Sequence, residues 1–146
     1  ADGAISWICP GVYLRDEALP AMEKGAKEAG RPVPPLIAHA PVCVHDNPDE
    51  VRAAIREQFG HPGLPFYQNM LIASGYPEAS NGQWSDAMID GVAILGDEET
   101  CAQRIQELFD MGATEVLASP VTAGADRAAS LDRTMRLLGQ AASAVR

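Results

Sequence analysis

The sequence predicts a parallel α/β fold, and two observations carry that prediction. Stretches with helical periodicity alternate with short apolar runs of the kind found in strands covered on both faces, and one complete helix-to-strand step is legible. In that step Asp97 caps a first turn enriched in Glu98 and Glu99, and Cys101, Ile105, Leu108 and Phe109 fall on one helical face. Gly112 stops the helix, and the run from Thr114 to Pro120 reads as a buried strand closed by its proline.

The same step recurs along the chain. Residues Ala4 to Pro10 read as a strand, followed by a helix from Asp16 to Ala29 with Pro20 in its first half and Gly30 at its end. Leu36 to Val44 is apolar except for His39 and reads as a second strand. Asn47 then caps a helix with Pro48 at its first position and Glu50 placed to close a capping box; Val51, Ala54, Ile55 and Phe59 form its inward stripe, and Gly60 ends it. Between Gly60 and Gly96 the rhythm weakens. His61 to Pro65 is turn material, Phe66 to Ile72 a short amphipathic helix ending before Gly75, and Tyr76 to Ser85 a polar stretch with an Asn81-Gly82 turn and Trp84 as an anchor. A last helix over Ala128 to Ala144 shows Leu131, Met135, Leu138 and Ala142 at helical spacing.

Three strand-helix units are thus expected, with the Asp97 helix as an added crossover element. Three units are too few to close a barrel. The chain also starts on Ala1 and enters a strand at once, so the expectation is a fragment: residues 1–146 as the C-terminal part of one eight-stranded (β/α) barrel of roughly 250 residues or more, its N-terminal part absent.

Hydrophobic residues make up 47% and charged residues 21%, enough apolar material for a core. The 20 acidic residues exceed the 11 basic ones, giving a net charge of −9, which disfavours nucleic acid or an anionic membrane as partner. No apolar run approaches the roughly 20 residues that span a bilayer, and no basic-then-apolar leader is visible, so the cytoplasm is the expected compartment. Cys9, Cys43 and Cys101 each sit in an apolar element and read as buried free thiols.

The chemistry-bearing residues are sparse. The glycines from Gly60 to Gly96 have neither dinucleotide nor nucleotriphosphate spacing. His39, His45 and His61 lack carboxylates or cysteines at metal-ligand intervals, so no metal is expected. His39, in mid-strand, reads either as a histidine hydrogen-bonded inside the barrel or as a catalytic base. Ser6 and Ser119 lack the context of a nucleophile elbow. Tyr67 is either a pocket wall or part of a spacer packed outside the barrel.

A resemblance adds to this reading. The segments Ala1 to Trp7, Leu19 to Pro32 and Pro41 to Glu50, with Gly96 to Ile105 and Gly112 to Val116, resemble in order and spacing the C-terminal part of luciferase-like flavin and deazaflavin oxidoreductases. The version here is most similar to members that use coenzyme F-420, a deazaflavin, with FMN as the alternative cofactor. The resemblance implies a barrel that holds the ring at the C-terminal ends of its strands and moves a hydride to or from its C5 position, with a small organic molecule as substrate. Trp7, Ile8 and Cys9 match a strand end where relatives line the substrate pocket, Trp7 alternatively being a core aromatic. Pro10 stands near the place where sugar-phosphate-oxidising relatives carry a lysine, which argues against a phosphorylated substrate. The pocket candidates are therefore Trp7, Ile8, Cys9, His39, Tyr67 and Ser119. Catalytic residues and phosphate contacts are expected in the earlier strands, and a homo-oligomer is expected for the intact protein. The alternatives are an FMN-dependent monooxygenase and a non-catalytic α/β binding or assembly module whose sheet edges a partner would cap.

Overall fold

A computed structural model describes residues 2–144 of the chain. In order it contains β1 (Ala4–Ile5), a continuous helix α1 over residues 11–28, β2 (Leu36–Val44), α2 (Pro48–Phe59), α3 (Pro65–Ala73), a 3-10 turn (Pro77–Asn81), α4 (Asp86–Val92), β3 (Ile94–Gly96), α5 (Glu98–Asp110), β4 (Glu115–Pro120) and α6 (Arg127–Ala144). The sheet has four strands, all parallel, rather than the three expected. The additional one is β3, whose three residues are too short to show a pattern in sequence.

Several boundaries shift for physical reasons. The first strand covers only Ala4–Ile5, because the chain leaves the sheet at Trp7. Helix α1 starts at Gly11 rather than Asp16, and its turns widen to π geometry over Leu14–Ala18 directly before Pro20. Pro20 has no N–H for the usual bond four residues back, and a widened turn is how a helix continues through such a position. At the start of α2, Asn47 caps through the N–H of Asp49 at 3.1 Å. The expected capping box does not close: the Glu50 carboxylate turns to His45 at 2.7 Å and to the Asn47 amide at 3.3 Å.

Strand β2 is the spine. Its start pairs with β1 through Ala4↔Leu36 and Ile5↔Ile37, its end pairs with β3 from Val42↔Ile94 to Val44↔Gly96, and β4 runs along it from Ile37↔Glu115 to Val42↔Pro120. A strand residue has one neighbour on each edge, so β1 and β3 share one flank of β2 while β4 takes the other. Between the end of β1 and the start of β3 that flank has a gap, and Pro41 lies in it. Leu36 and Val42 carbonyls accept from the β4 side and Ile37 accepts from Ser6 on the β1 side, so odd-numbered residues aim their polar groups at the gapped flank. The N–H that Pro41 lacks has no strand to meet, which explains a proline inside a central strand.

The two faces of β2 have different covers. Leu36 and Ala38 pack with Leu14 and Ala113, and Ala40, Val42 and Val44 with Ile94, Cys101, Ile105 and Leu137, so this face lies under α1, α5 and α6. On the other face Cys43 joins Val51, Ile55, Leu71, Met88 and Ile89, which places α2, α3 and α4 over the carboxyl ends of β2 and β4. Nearer the strand starts that face is open, with Ile5 66% and Leu117 43% exposed.

Of the apolar residues at helical spacing in α6, Leu138 packs against the core. Leu131 and Met135 are exposed, whereas Ser130, Thr134 and Leu137 are buried. The reason is polar. The Val44 N–H donates to Thr134 Oγ1 at 3.0 Å and the Ala123 N–H to Ser130 Oγ at 3.1 Å, so two hydroxyls serve strand-end and loop backbone groups that would otherwise be orphaned.

Candidate functional site

Where β1 ends, the chain makes a turn that determines the local geometry. Ile8 has φ of +48°, the only positive value at a non-glycine residue among the described residues. For a β-branched side chain this is a strained conformation, of the kind that persists where surrounding contacts hold it. Its N–H donates to His39 Nδ1 at 3.1 Å.

His39 is held on every side. It is 2% exposed, and the Trp7 ring lies over it with centroids 4.0 Å apart and planes 15° from parallel. Its backbone N–H donates to Ser6 Oγ at 2.9 Å, and its Nε2 lies 2.8 Å from Ser119 Oγ, two residues beyond its strand partner Leu117 on the same face. Burial lowers the His39 pKa below its ordinary value, and none of these partners is a carboxylate that would oppose the shift. The ring is therefore neutral. A neutral ring accepting at Nδ1 carries its proton on Nε2.

Trp7 is 49% exposed in this chain. Together with Ile8, Phe59, Tyr67 and Trp84 it lines a cavity of about 320 Å³ between the end of β1 and the α2–α3 connection. The Tyr67 ring meets that of Phe66 in a tilted contact, centroids 4.4 Å apart and planes at 36°. Trp84, 8% exposed, holds the one buried side-chain polar atom without a hydrogen-bond partner among the described residues, its indole Nε1. No lysine or arginine lines this cavity.

Of the six pocket candidates, the structure brings Trp7, Ile8 and Tyr67 to this cavity and stacks Trp7 on His39, which in turn reaches Ser119. Cys9 goes elsewhere. It packs with Leu14, Leu36 and Ala38 under α1, its thiol is pushed up to about 12 by burial, and with His39, Arg15, Arg104 and Glu107 it lines a second cavity of about 300 Å³. The turn at Ile8 sends successive side chains to opposite sides of the sheet. Sequence reasoning missed Phe59 as a cavity wall and Trp84 as more than an anchor, because helical spacing assigned one to a core stripe and a polar stretch concealed the other. Among the described residues no group of three or more His, Cys, Asp or Glu side chains is arranged to hold a metal ion, and no helix is long and apolar enough to cross a membrane.

Comparison with known proteins places this geometry in context. Residues 1–115 match the family of luciferase-like monooxygenases. The 5,10-methylenetetrahydromethanopterin reductase of Methanopyrus kandleri is 28% identical over 142 residues, covering 84% of this chain and 39% of the reductase. The enzyme of the same name from Methanolobus tindarius is 27% identical over 134 residues, covering 78% of this chain and 41% of its own. Among solved structures, an F-420-dependent secondary alcohol dehydrogenase in complex with an F-420-acetone adduct matches with a TM-score of 0.68 at 14% identity, over 97% of this chain and 43% of that one. The coenzyme F-420-dependent tetrahydromethanopterin reductase from Methanopyrus kandleri matches at 0.56 and 23% identity, over 96% and 44% of the two chains. The oxygenating constituent of 3,6-diketocamphane monooxygenase from Pseudomonas putida, in complex with FMN, matches at 0.52 and 16% identity, over 93% and 40%. The chain spans about two fifths of the length of the relatives it matches.

Proposed function

Because the chain belongs to the luciferase-like monooxygenase family, we propose that it is the C-terminal part of a deazaflavin-dependent oxidoreductase that moves a hydride between coenzyme F-420 and a small organic substrate. The observation that carries this reading is the aromatic cavity at the carboxyl end of β1, where Trp7 is held flat against His39 and faces Tyr67 and Trp84 across a space of about 320 Å³. The choice of cofactor rests on the two F-420-dependent structures and on the methanopterin reductases that the chain resembles.

The residues present fit a flat, largely apolar group carrying a few acceptor oxygens. Trp7, Phe59, Tyr67 and Trp84 give the cavity an aromatic lining that suits such a group. When bound, a deazaflavin supplies hydride transfer without activating oxygen. In this reading Trp7 and Tyr67 position the reacting molecules, and Ile8 and His39 fix Trp7. No lysine or arginine lines the cavity to hold a phosphate tail, and in this reading the tail is held by the N-terminal part of the barrel, which would cover the open face around Ile5 and Leu117. Pro10 agrees with an unphosphorylated substrate. A cytoplasmic homo-oligomer remains our expectation for the intact enzyme.

A second reading, an FMN-dependent monooxygenase, draws on the Pseudomonas putida oxygenase structure. Fluorescence titration of the full-length protein with coenzyme F-420 and with FMN separates the two. Saturation by F-420, together with a kcat/KM about tenfold or more lower in Trp7→Ala at little cost in melting temperature, is the expected result. Turnover with FMN and oxygen but not with F-420 overturns the reading.

A further inference from the structure

The hydroxyl of Ser119 is left with a proton that no group among the described residues accepts. Ile8 occupies the lone pair of His39 Nδ1 at 3.1 Å, so the neutral ring donates from Nε2 across the 2.8 Å to Ser119 Oγ. Ser119 is thereby the acceptor, and its own O–H must point away from the imidazole. Among the described residues that hydroxyl has no second hydrogen-bond partner. Ser119 is half-buried at the carboxyl end of β4, on the sheet face that Trp7 overlies. A strained Ile8, a stacked indole and a buried imidazole are thus all committed to fixing the direction of one proton.

We propose that Ser119 donates a hydrogen bond to an acceptor oxygen of the bound ligand, a carbonyl oxygen of the cofactor ring or of the substrate, and that His39 is the positioning residue that makes it a donor. The inference rests on the functional reading above. It differs from a packing role for His39 because it requires one tautomer and one direction of donation. Reversing that tautomer would put two donors, the Ile8 N–H and Nδ1–H, face to face, and would turn Ser119 into a donor to His39 with nothing left for a ligand.

The test uses full-length protein with 15N-labelled histidine, the His39 ring signals being assigned by their loss in His39→Gln. The expected spectrum has an unprotonated Nδ1 and a protonated Nε2, and the opposite tautomer overturns the proposal. Coenzyme F-420 and acetone are then added separately as probes of the two oxygen sources. A shift of the Nε2 signal with one of them names the source, and that probe should bind about tenfold more weakly to Ser119→Ala and within about threefold of the wild type to Ser119→Thr, which keeps the hydroxyl. His39→Gln, which retains a donor near the Nε2 position, should bind better than His39→Asn, which does not reach Ser119. If either histidine variant fails to fold, the Ser119 pair decides alone. F-420 that binds by fluorescence without either probe moving the His39 signal, or that binds Ser119→Ala as well as the wild type, overturns this inference and leaves the functional reading standing. Absence of F-420 binding with turnover on FMN overturns the functional reading itself.

Discussion

Two buried polar side chains show how much a single residue can hold in this fold. Thr134 is fully buried, and its Oγ1 accepts the N–H at the end of β2. Valine has the same shape without the acceptor, so Thr134→Val leaves a buried N–H unpaired and should cost about 1–3 kcal/mol, visible as a lower melting temperature by circular dichroism. An unchanged melt would show that water takes the place of the hydroxyl. His39 gives a pH dependence whose sign follows from its neutral state. Its pKa is lower folded than the ordinary value of about 6.5, so between those two values the unfolded chain binds more protons than the folded one. Stability on this account is full above about pH 6.5 and falls as the pH drops towards the folded pKa. Melts at about pH 7 and pH 5 should therefore differ more for the wild type than for His39→Gln. That His39 would be hydrogen-bonded was one of the two readings its mid-strand position allowed, but its partners were not readable from the sequence. A histidine in an apolar run is visible, but its partners Ile8 and Ser119 come from two other strand ends, and only the fold brings them together.

At the scale of elements, caps and stops were legible because their chemistry is local. Asn47 and Asp97 bond their first turns as their positions imply, the latter to the Thr100 N–H at 2.8 Å, and Val51, Ala54 and Ile55 are buried as their spacing predicts. What failed were elements decided by distant groups. Helix α6 turns serine and threonine inward to serve another element's backbone, against its own apolar stripe, and β3 exists only because the end of β2 offers it a ladder. Helix α4 contains a comparable dependence at Gly91. A Cβ there would collide with the hydroxyl and ring of Tyr76, which lies across the helix from the turn before it. Alanine would favour the helix by about 1 kcal/mol, but overpacking of this kind costs about 1–3 kcal/mol, so Gly91→Ala should destabilise the protein and shift Tyr76. Chemical denaturation would read the first and tyrosine fluorescence the second; a stabilised variant would mean that Tyr76 swings clear freely.

On the scale of the whole molecule, the parallel α/β class was legible from alternating patterns, whereas the strand order was not, since an apolar run does not say which strand it pairs with. The order matters for behaviour in solution. Strand β4 is paired along one edge only among the described residues, and the sheet face beside it exposes Ile5, Trp7 and Leu117. An unpaired edge next to an apolar face is a site for association. The chain made alone should therefore form dimers or larger species by light scattering and should bind neither F-420 nor FMN. Leu117→Lys, which places a charge on that face, should shift it towards monomer. A wild-type monomer with a sharp melt would show that these units are self-sufficient.

The gap beside Pro41 has a consequence for motion. With no ladder joining β1 to β3 along their common flank, the two are clasped independently, and β1 can open while the longer β2–β4 ladder stays closed. Local openings of this kind cost far less than global unfolding and involve the segments with the fewest bonds. Trp7 rides on that segment, so the wall of the cavity nearest His39 belongs to the least anchored strand of the sheet. Beyond the two paired residues of β1, what keeps Trp7 in place is its stack on His39, the Ile8 bond to that ring and the burial of Ile8 and Cys9 on either side of the sheet.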